Sequence, residues 1–223
     1  MSFRPTSPSG TESTAGAATL SGILLAAGRG RRFGGDKLLA PLDDGTPVAV
    51  KAAENMISAL ARVVAVVRPA DSILAALLRQ AGAEVIVCPD ASQGMGHSLA
   101  SAVQVSQGAG GWLVGLADMP FIHPNTLRAV AKEVASGATI AAPCYLQKRG
   151  HPVAFAACWQ AELLALSGDQ GARGLIERQR DKLVLVQCDD AGVLLDIDLP
   201  ADLVRGQHIV ASQRQPTKSK DDD

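Results

Sequence analysis

Between residues 22 and 142 the chain alternates short apolar runs with amphipathic segments, and this alternation most constrains its fold. The apolar runs are mostly aliphatic and lie at 22–26, 63–67, 84–87, 112–116 and 139–142. Short runs without polar alternation are typical of strands that are buried on both faces. The segments between them have apolar residues at helical spacing and lie at 47–60, 72–80, 97–107 and after Pro124. Because strands that alternate with helices imply right-handed crossovers, we predict an α/β fold with a mostly parallel sheet.

The pattern changes after residue 142. Two further strands are predicted at 151–156 and 183–188, around a helical stretch at 172–180. We interpret this part as an elaboration of the same domain that forms a pocket for a second substrate. A chain of 223 residues that is 47% hydrophobic is long enough for one complete core. We predict one domain over residues 20–211, a disordered N-terminal tail at 1–19 and a flexible C-terminal tail at 212–223, because both ends are rich in small and polar residues.

Composition excludes several classes of function. A net charge of -1 is unlike a protein that binds nucleic acid or an anionic membrane, and 3% aromatic residues leave few platforms for base stacking. No run approaches the roughly 20 apolar residues of a membrane span. The four cysteines are widely spaced and form no CxxC pair, so neither a disulfide framework nor a zinc site is predicted. We expect a cytoplasmic protein with no nucleic-acid or membrane partner.

The segment after the first strand, AAGRGRRFGGDK at 26–37, has the composition of a phosphate-binding loop. Its glycines and alanines let backbone N–H groups approach an anion closely. Three cations add charge for a polyphosphate, and these are Arg29, Arg32 and Lys37. The loop fits neither familiar nucleotide-binding pattern, since Asp36 stands where a P-loop needs lysine and Phe33 where a dinucleotide fingerprint needs glycine.

Three acidic residues follow apolar segments. Asp118 directly follows the apolar run at 112–117, and a carboxylate there could hold Mg²⁺ on phosphates or simply form a turn. Asp196 and Asp198 lie two residues apart in an extended segment, so both can project the same way. Like charges that approach each other need a cation between them. Asp198 could alternatively cap a helix that begins at Pro200.

The first loop, LLAAGRGRRFGGDK, resembles the signature L-x-A-G-G/A-x-x-x-R-M/F-G-x-x-K of the MobA-like NTP transferases, and especially their molybdenum cofactor cytidylyltransferase branch. Five further motifs extend the resemblance over residues 20–204, and these are GMGHSL, LADMPF, RGHPVAF, GDQGAR and DIDLPAD. The resemblance implies a Rossmann-like three-layer α/β/α nucleotidyltransferase fold. It also implies the joining of CMP from CTP to the phosphate of molybdenum-molybdopterin, with release of pyrophosphate.

The resemblance also implies roles for individual residues. Mg²⁺ would be held by Asp118 and Asp198, with Asp196 the weaker candidate. The catalytic residues would be Lys37, Arg32 and Asp118. The nucleotide would be bound by Ala26, Ala27, Gly28, Arg29, Lys37, Gly94, Gly96 and Ser98. The molybdopterin-type acceptor would be bound by His151, Asp169 and Arg173. No general base is expected, because the attacking phosphate is already largely anionic.

Several alternatives stay open from the sequence. Ser98 could be only a helix cap, His151 a core histidine, and the GDQGAR segment a surface loop. The methyl group of Ala27 favours CTP, since the guanylyl branch has two glycines after the first alanine. A guanylyltransferase, a transferase with another phosphorylated acceptor, and a non-catalytic chaperone that loads cofactor into a molybdoenzyme are the other candidates. A molybdoenzyme or its chaperone is the protein partner that the resemblance suggests.

Overall fold

The computed structural model describes residues 19–28, 30 and 33–214. The strands are β1 (Ser21–Leu25), β2 (Val63–Val67), β3 (Glu84–Val87), β4 (Gly111–Leu116), β5 (Ile140–Tyr145), β6 (Lys148–Arg149), β7 (Val153–Ala156) and β8 (Leu183–Gln187). The helices are α1 (Val48–Ile57), α2 (Ser72–Gln80), α3 (Met95–Val105), α4 (Pro124–Ala135), α5 (Gln160–Leu164), α6 (Arg173–Arg178) and α7 (Pro200–Arg214). Every strand and helix that the sequence predicts is present, with ends that shift by a few residues.

The strands form one mixed sheet in the order β3-β2-β1-β4-β7-β5. Strand β8 pairs with the other edge of β5, and β6 forms a hairpin with β5. β1 to β4 are mutually parallel, and β5 and β8 are parallel to each other. The short strand β7 is antiparallel to both β4 and β5. The prediction of a mostly parallel sheet is therefore confirmed, and β7 belongs to the region where the sequence pattern changes.

Apolar side chains on the two faces of the sheet pack into two separate cores. Leu24 and Ala26 face the core that includes α1, α2 and α4, whereas Ile23 and Leu25 face the core that includes α3, α5 and α6. All five residues of β1 are buried, and so are all five of β2. Burial on both faces explains why these runs are apolar without alternation. The result is the three-layer α/β/α arrangement.

The order in which strands are added to the sheet reverses at β1: β2 and β3 lie on one side of β1, and β4 lies on the other. The two parallel strands β1 and β4 end together, because Leu25 pairs with Leu116. The amide of Ala117 donates to the Leu25 carbonyl at 3.1 Å, which continues the pairing past the strand ends. Ligands of open α/β sheets bind beyond the carboxyl ends of strands at such a reversal. The first loop and Asp118 therefore leave the sheet side by side.

The C-terminal part contains elements that the sequence analysis did not predict. The two-residue strand β6 and the short helix α5 are among them, whereas α7 begins at Pro200, where the capping alternative for Asp198 placed a helix start. Helix α7 includes residues 212–214, which the sequence analysis assigned to the C-terminal tail. Residues 1–18 and 215–223 of the two predicted tails lie outside the described residues. Within the described ranges, no helix is both long enough and apolar enough to cross a membrane.

Candidate functional site

Three charged side chains from distant parts of the sequence meet beyond the ends of β1 and β4. The Lys37 ammonium donates to Asp118 Oδ2 at 2.8 Å and to Asp198 Oδ1 at 2.9 Å. The Lys37 side chain is 8% exposed, against 21% for Asp118 and 46% for Asp198. The resemblance implies Mg²⁺ between Asp118 and Asp198, and in the structure the Lys37 ammonium lies between these two carboxylates. We call these three residues the Lys37 cluster.

Backbone contacts hold the two carboxylates in place. The fully buried residue Ile197 donates its amide to the Asp118 carbonyl at 2.9 Å, so the segment before α7 is tied to the loop after β4. The amides of Asp198 and Leu199 donate to Asp202 Oδ2 at 3.0 and 2.7 Å, which is the geometry of a carboxylate that caps a helix start from within its first turn. Asp202 supplies this capping carboxylate, and the Asp198 carboxylate points to Lys37.

Electrostatics keep the cluster charged. Burial alone would lower the pKa of the Lys37 ammonium, but hydrogen bonds and charges from Asp118 and Asp198 outweigh burial and raise its pKa above the ordinary value. Asp196 lies beside the cluster on the exposed side of the chain. Partial burial of its carboxyl raises the pKa of Asp196, and the negative charges of Asp198 and Asp118 raise it further. Three carboxyl groups thus surround one ammonium, so Lys37 balances only part of the negative charge.

The Lys37 cluster fits a hard divalent cation. Asp118 Oδ1 is buried and has no hydrogen-bond partner among the described residues, although a buried carboxylate oxygen normally has one. Two carboxylates with an unpaired inward oxygen suit Mg²⁺, which binds one or two carboxylates and takes its other ligands from phosphates and water. No cluster of three or more His, Cys, Asp or Glu side chains able to hold a metal occurs in the described part of the chain. A bound substrate would therefore have to complete the coordination.

A cavity of about 430 Å³ opens next to the Lys37 cluster. We call it the switch-point cavity, and the residues that matter in its lining are Ala27, Gly28, Gly94, Ser98, Asp118 and Asp169. It brings together four of the motifs that the sequence analysis singled out. Gly28 is exposed, and a side chain there would meet nothing within 4 Å, so its backbone is open to a ligand. Ala26 is fully buried beneath this loop.

The glycines of the GMGHSL motif serve close packing. Gly94 has a φ of 129°, and a Cβ at that position would collide with the backbone of Gly168. A Cβ at Gly96 would lie 2.7 Å from the backbone of Ser167, and the Gly96 amide donates to the Gly168 carbonyl at 2.8 Å. These contacts join the N-terminus of α3 to the loop that contains Asp169. The two motifs form one wall of the cavity because Gly94 and Gly96 let the two backbones approach closely.

Ser98 lies within α3 and does not cap it. The helix begins at Met95 with Gly94 as its N-cap, two residues earlier than the sequence predicts. Ser98 is 2% exposed and faces the switch-point cavity. The capping alternative for Ser98 is therefore wrong, because the helix already contains a full turn before it. Its role as a nucleotide ligand stays a prediction.

The three residues predicted to bind the acceptor lie in different surroundings. Asp169 is exposed and lines the same cavity as Ala27 and Gly28. Arg173 has a side chain that is 74% exposed and pairs with Glu177 at 2.8 Å along α6. It is not among the cavity-lining residues. The structure thus places Asp169 in the switch-point cavity and leaves Arg173 on the surface.

His151 is the third predicted acceptor residue. Its amide donates to the Val193 carbonyl at 2.9 Å, and a Cβ at the preceding Gly150 would collide with Val193. Burial lowers the pKa of the His151 imidazole and the Arg149 charge lowers it further, while the Asp118 charge opposes both. Its Nδ1 is buried without a partner among the described residues. Burial therefore favours the neutral imidazole at His151, and the Asp118 charge acts on it in the opposite direction.

Two predicted cations, Arg29 and Arg32, lie outside the described residues, so their roles stay predictions. One residue that sequence reasoning missed is Asp190, which is 8% exposed. Its Oδ2 accepts from the His123 amide at 2.8 Å and from Thr126 Oγ1 at 2.7 Å, so it anchors the chain after Asp118. The only signal in the sequence is an Asp two residues before a glycine, which is common in turns.

Comparison with known families identifies the chain at this point. Residues 22–183 match the model of the MobA-like NTP transferase domain, a span that contains the first loop, the GMGHSL and GDQGAR motifs and Asp118. The chain belongs to the MobA-like NTP transferase family. The resemblance in the loop motifs is thereby confirmed, and the protein is a nucleotidyltransferase with the fold that the sequence predicts.

Curated relatives in this family differ in their stated roles. The chain is 33% identical over 201 residues to the purine catabolism protein PucB of Bacillus subtilis (strain 168), and this match covers 83% of this chain and 96% of PucB. It is 32% identical over 199 residues to the nicotine blue oxidoreductase of Paenarthrobacter nicotinovorans, covering 83% of this chain and 95% of that protein. Family membership alone therefore does not choose the acceptor.

Solved structures agree with the fold. Rv0371c from Mycobacterium tuberculosis H37Rv superposes with a TM-score of 0.76 at 29% identity, covering 86% of this chain and 98% of that one. A second structure of Rv0371c is a complex with manganese and gives a TM-score of 0.72 at 28% identity, covering 85% of this chain and 98% of that one. A divalent metal thus binds a protein that is similar over nearly its whole length.

Proposed function

We propose that this enzyme transfers the CMP unit of CTP to the phosphate of a molybdopterin-type acceptor, preferably molybdenum-molybdopterin, and releases pyrophosphate. The observation that supports this most is the Lys37 cluster at the mouth of the switch-point cavity. It combines an almost fully buried ammonium, two carboxylates and an unpaired carboxylate oxygen where a triphosphate would lie. These are the groups that phosphoryl transfer requires for neutralising charge and for positioning.

The nucleotide would occupy the switch-point cavity. The Ala27 and Gly28 backbone lies against the phosphates, where the glycine leaves space for close approach. Ser98 and Gly94 line the opposite wall, where base or ribose would be contacted. We assign Asp169 to this nucleotide side, because it lines the same cavity. Lys37 would turn from the carboxylates to the triphosphate, with Arg29 and Arg32 as further cations of that loop.

Asp118 and Asp198 would hold Mg²⁺, which supplies positive charge that neutralises the reacting phosphates. In the transfer step, an oxygen of the acceptor phosphate forms a bond to the α-phosphorus. The bond from the α-phosphorus to the bridging oxygen breaks, and pyrophosphate leaves with that electron pair. The acceptor phosphate is already anionic, so no side chain has to remove a proton. Lys37 neutralises charge on the departing pyrophosphate.

The acceptor would bind on the His151 side of the cluster. A neutral imidazole with an unpaired buried Nδ1 can form a hydrogen bond to a polar acceptor group without adding charge. Arg173 is suited to an anionic group of the acceptor, provided that its ion pair with Glu177 opens. Both roles are proposals, as is the location of the enzyme in the cytoplasm.

The preference for CTP rests on Ala27, a buried residue of the cavity lining that stands where the guanylyl branch has glycine. A guanylyltransferase reaction is the alternative within the same chemistry. Oxidoreductase activity, which the printed name of one relative states, gains no support from this chain, because Phe33 replaces a glycine of the dinucleotide fingerprint. A non-catalytic chaperone would not need Lys37, Asp118 and Asp198 to be brought together.

The proposal is tested by measuring pyrophosphate release after mixing the enzyme with CTP, Mg²⁺ and molybdenum-molybdopterin. We expect release only when the acceptor is present, and faster release with CTP than with GTP at equal concentration. Faster release with GTP would overturn the assignment of the base and leave the transferase chemistry intact. No release with either nucleotide, while a sugar phosphate supports it, would overturn the assignment of the acceptor.

A further inference from the structure

We infer that Lys37 closes the Asp118–Asp198 pair to free metal ions, so that a divalent metal enters this site only together with the triphosphate. The inference rests on the proposed function, which makes this pair the metal site. It adds an order of binding, in which the substrate is the metal–nucleotide complex and the metal is not a resident of the free enzyme.

The Lys37 ammonium occupies the space between the carboxylates. It lies 2.8 Å from Asp118 Oδ2 and 2.9 Å from Asp198 Oδ1. Its stem is packed against the first loop, since a Cβ at Gly30 would come within 2.8 Å of Lys37 Cγ. The next residue, Leu38, is buried in the core and its carbonyl accepts from the Ala49 amide at 3.0 Å. The lysine is therefore held in place from both ends.

A free metal ion gains little at this pair. To bind both carboxylates it must displace an ammonium that makes two charge-assisted hydrogen bonds and belongs to a side chain only 8% exposed. The displaced ammonium then needs another anionic partner. A triphosphate in the switch-point cavity supplies one, because its oxygens lie beside the same loop. Asp118 Oδ1, the buried oxygen that has no partner among the described residues, would then be available to hold the metal.

The consequence is reciprocal coupling. If the triphosphate raises the affinity for metal, the metal raises the affinity for triphosphate by the same factor. Couplings of this kind are typically about 5-fold to 150-fold. Removing the ammonium while keeping the length of the side chain should abolish most of it, because the carboxylate pair is then open to metal at all times.

The experiment titrates Mn²⁺ alone into the full chain without nucleotide and follows the electron paramagnetic resonance signal of free Mn²⁺. We expect Lys37→Met to bind Mn²⁺ at least about tenfold more tightly than the wild type, in line with the coupling range. Lys37→Arg keeps the cation and should bind as weakly as the wild type. Lys51→Met is the matched control, because Lys51 lies on α1 and is paired only loosely with Glu54 at 3.8 Å.

A second variant separates failure of the inference from failure of the metal site. Adding Asp118→Asn to Lys37→Met should abolish the tight Mn²⁺ binding. If the wild type without nucleotide binds Mn²⁺ as tightly as Lys37→Met, and Asp118→Asn abolishes binding in both, the role of Lys37 is overturned and the metal site stands. If Lys37→Met gains no affinity and Asp118→Asn changes nothing, the metal site fails and the inference fails with it.

The wild type alone gives an independent readout if the Lys37 variants do not fold. Mn²⁺ alone should leave the Tm of the wild type unchanged. Mn²⁺ with CTP should raise the Tm by more than CTP with a chelator does. An increase in Tm caused by Mn²⁺ alone that is lost in Asp118→Asn would overturn the inference.

Discussion

Two cavities of similar size differ in how their charged side chains are paired. The switch-point cavity has a volume of about 430 Å³. A second cavity, which we call the side cavity, has a volume of about 490 Å³, and its lining includes Asp43, Asp44, Lys51, Asn55 and Phe121. Both contain carboxylates and are approached by a lysine. Volume therefore does not distinguish a site from a surface depression.

The difference lies in how the charged groups are satisfied. In the side cavity, Asp44 accepts from the Thr46 amide at 2.9 Å, a turn contact between residues two apart, and this bond lowers the pKa of the Asp44 carboxyl. In the switch-point cavity, Asp118 pairs with a lysine 81 residues away and keeps one oxygen unpaired. A carboxylate satisfied by its own turn forms the turn, whereas one that is partly satisfied by distant groups is available to a ligand.

The largest expected effect is on turnover in Asp118→Asn. Asparagine keeps the size and an oxygen but removes the charge that holds the metal, so we expect turnover to fall on the order of 10²-fold or more, with a higher Mg²⁺ requirement. Asp198→Asn should behave in the same way. The control in the side cavity is Asp44→Asn, which keeps the turn contact and should leave turnover unchanged. Near-normal turnover in both cluster variants would remove the distinction between the cavities.

The same variants have an expected effect on stability. Repulsion between two carboxylates alone would predict that Asn at either position stabilises the metal-free protein. Lys37 reverses this expectation, because its buried ammonium loses a charged partner. We therefore expect the Tm of metal-free Asp118→Asn to fall below that of the wild type. An equal or higher Tm would show that Lys37 does not neutralise the charges of Asp118 and Asp198 in solution.

The next effect in size is on the use of triphosphate in Lys37→Ala. Loss of a cation aimed at developing phosphate charge should lower kcat/KM for CTP roughly 10-fold to 100-fold, with less change in the KM for the acceptor. Lys51→Ala in the side cavity is the matched control. Steady-state kinetics with each substrate varied in turn make the measurement. Equal small effects of the two lysine variants would contradict the account.

Glycine substitutions sharpen the comparison within the switch-point cavity. Gly94→Ala places a methyl group into the backbone of Gly168 at a φ of 129°, so we expect it to destabilise the fold by about 1–3 kcal/mol. Gly28→Ala meets nothing within 4 Å and should leave the free energy of unfolding nearly unchanged while it weakens CTP binding. Urea unfolding and CTP titration separate the two. Similar losses of stability in both would show that Gly28 is also a packing position.

The smallest expected effect concerns His151 and pH. Burial lowers the pKa of His151 in the folded protein below its unfolded value near 6.5. Above that pH both states are neutral, and as the pH falls below it the unfolded state takes up the proton first, so stability decreases. We expect the Tm of the wild type to drop more between about pH 7.5 and about pH 5.5 than that of His151→Gln. His208→Gln, a change on the exposed face of α7, should retain the wild-type drop.

Sequence reasoning found the parts of the site that follow from strand order. Asp118 and the first loop could be placed together because the carboxyl ends of parallel strands share an edge. The strands themselves could be predicted because burial on both faces leaves an apolar run. The position of Lys37 could not be predicted, since the pairing joins residues 81 and 161 apart and depends on the packing of three loops.

The remaining differences have equally local causes. Helix α3 begins earlier than its apolar spacing suggests, because the glycine contacts with Gly168 fix its start. Helix α5 and strand β6 are five and two residues long, too short for a periodic pattern to appear. Asp202 caps α7 in place of Asp198, since a carboxylate in the first turn of the helix accepts from the Asp198 and Leu199 amides.

The most direct test of the central claim is a crystal of the enzyme soaked with CTP and Mn²⁺ and measured for anomalous scattering at the manganese edge. We predict one manganese peak within coordination distance of Asp118 and Asp198, the triphosphate in the switch-point cavity, and the Lys37 ammonium moved from the carboxylates to a phosphate oxygen. CTP bound in the side cavity, or manganese bound away from both carboxylates, would contradict it.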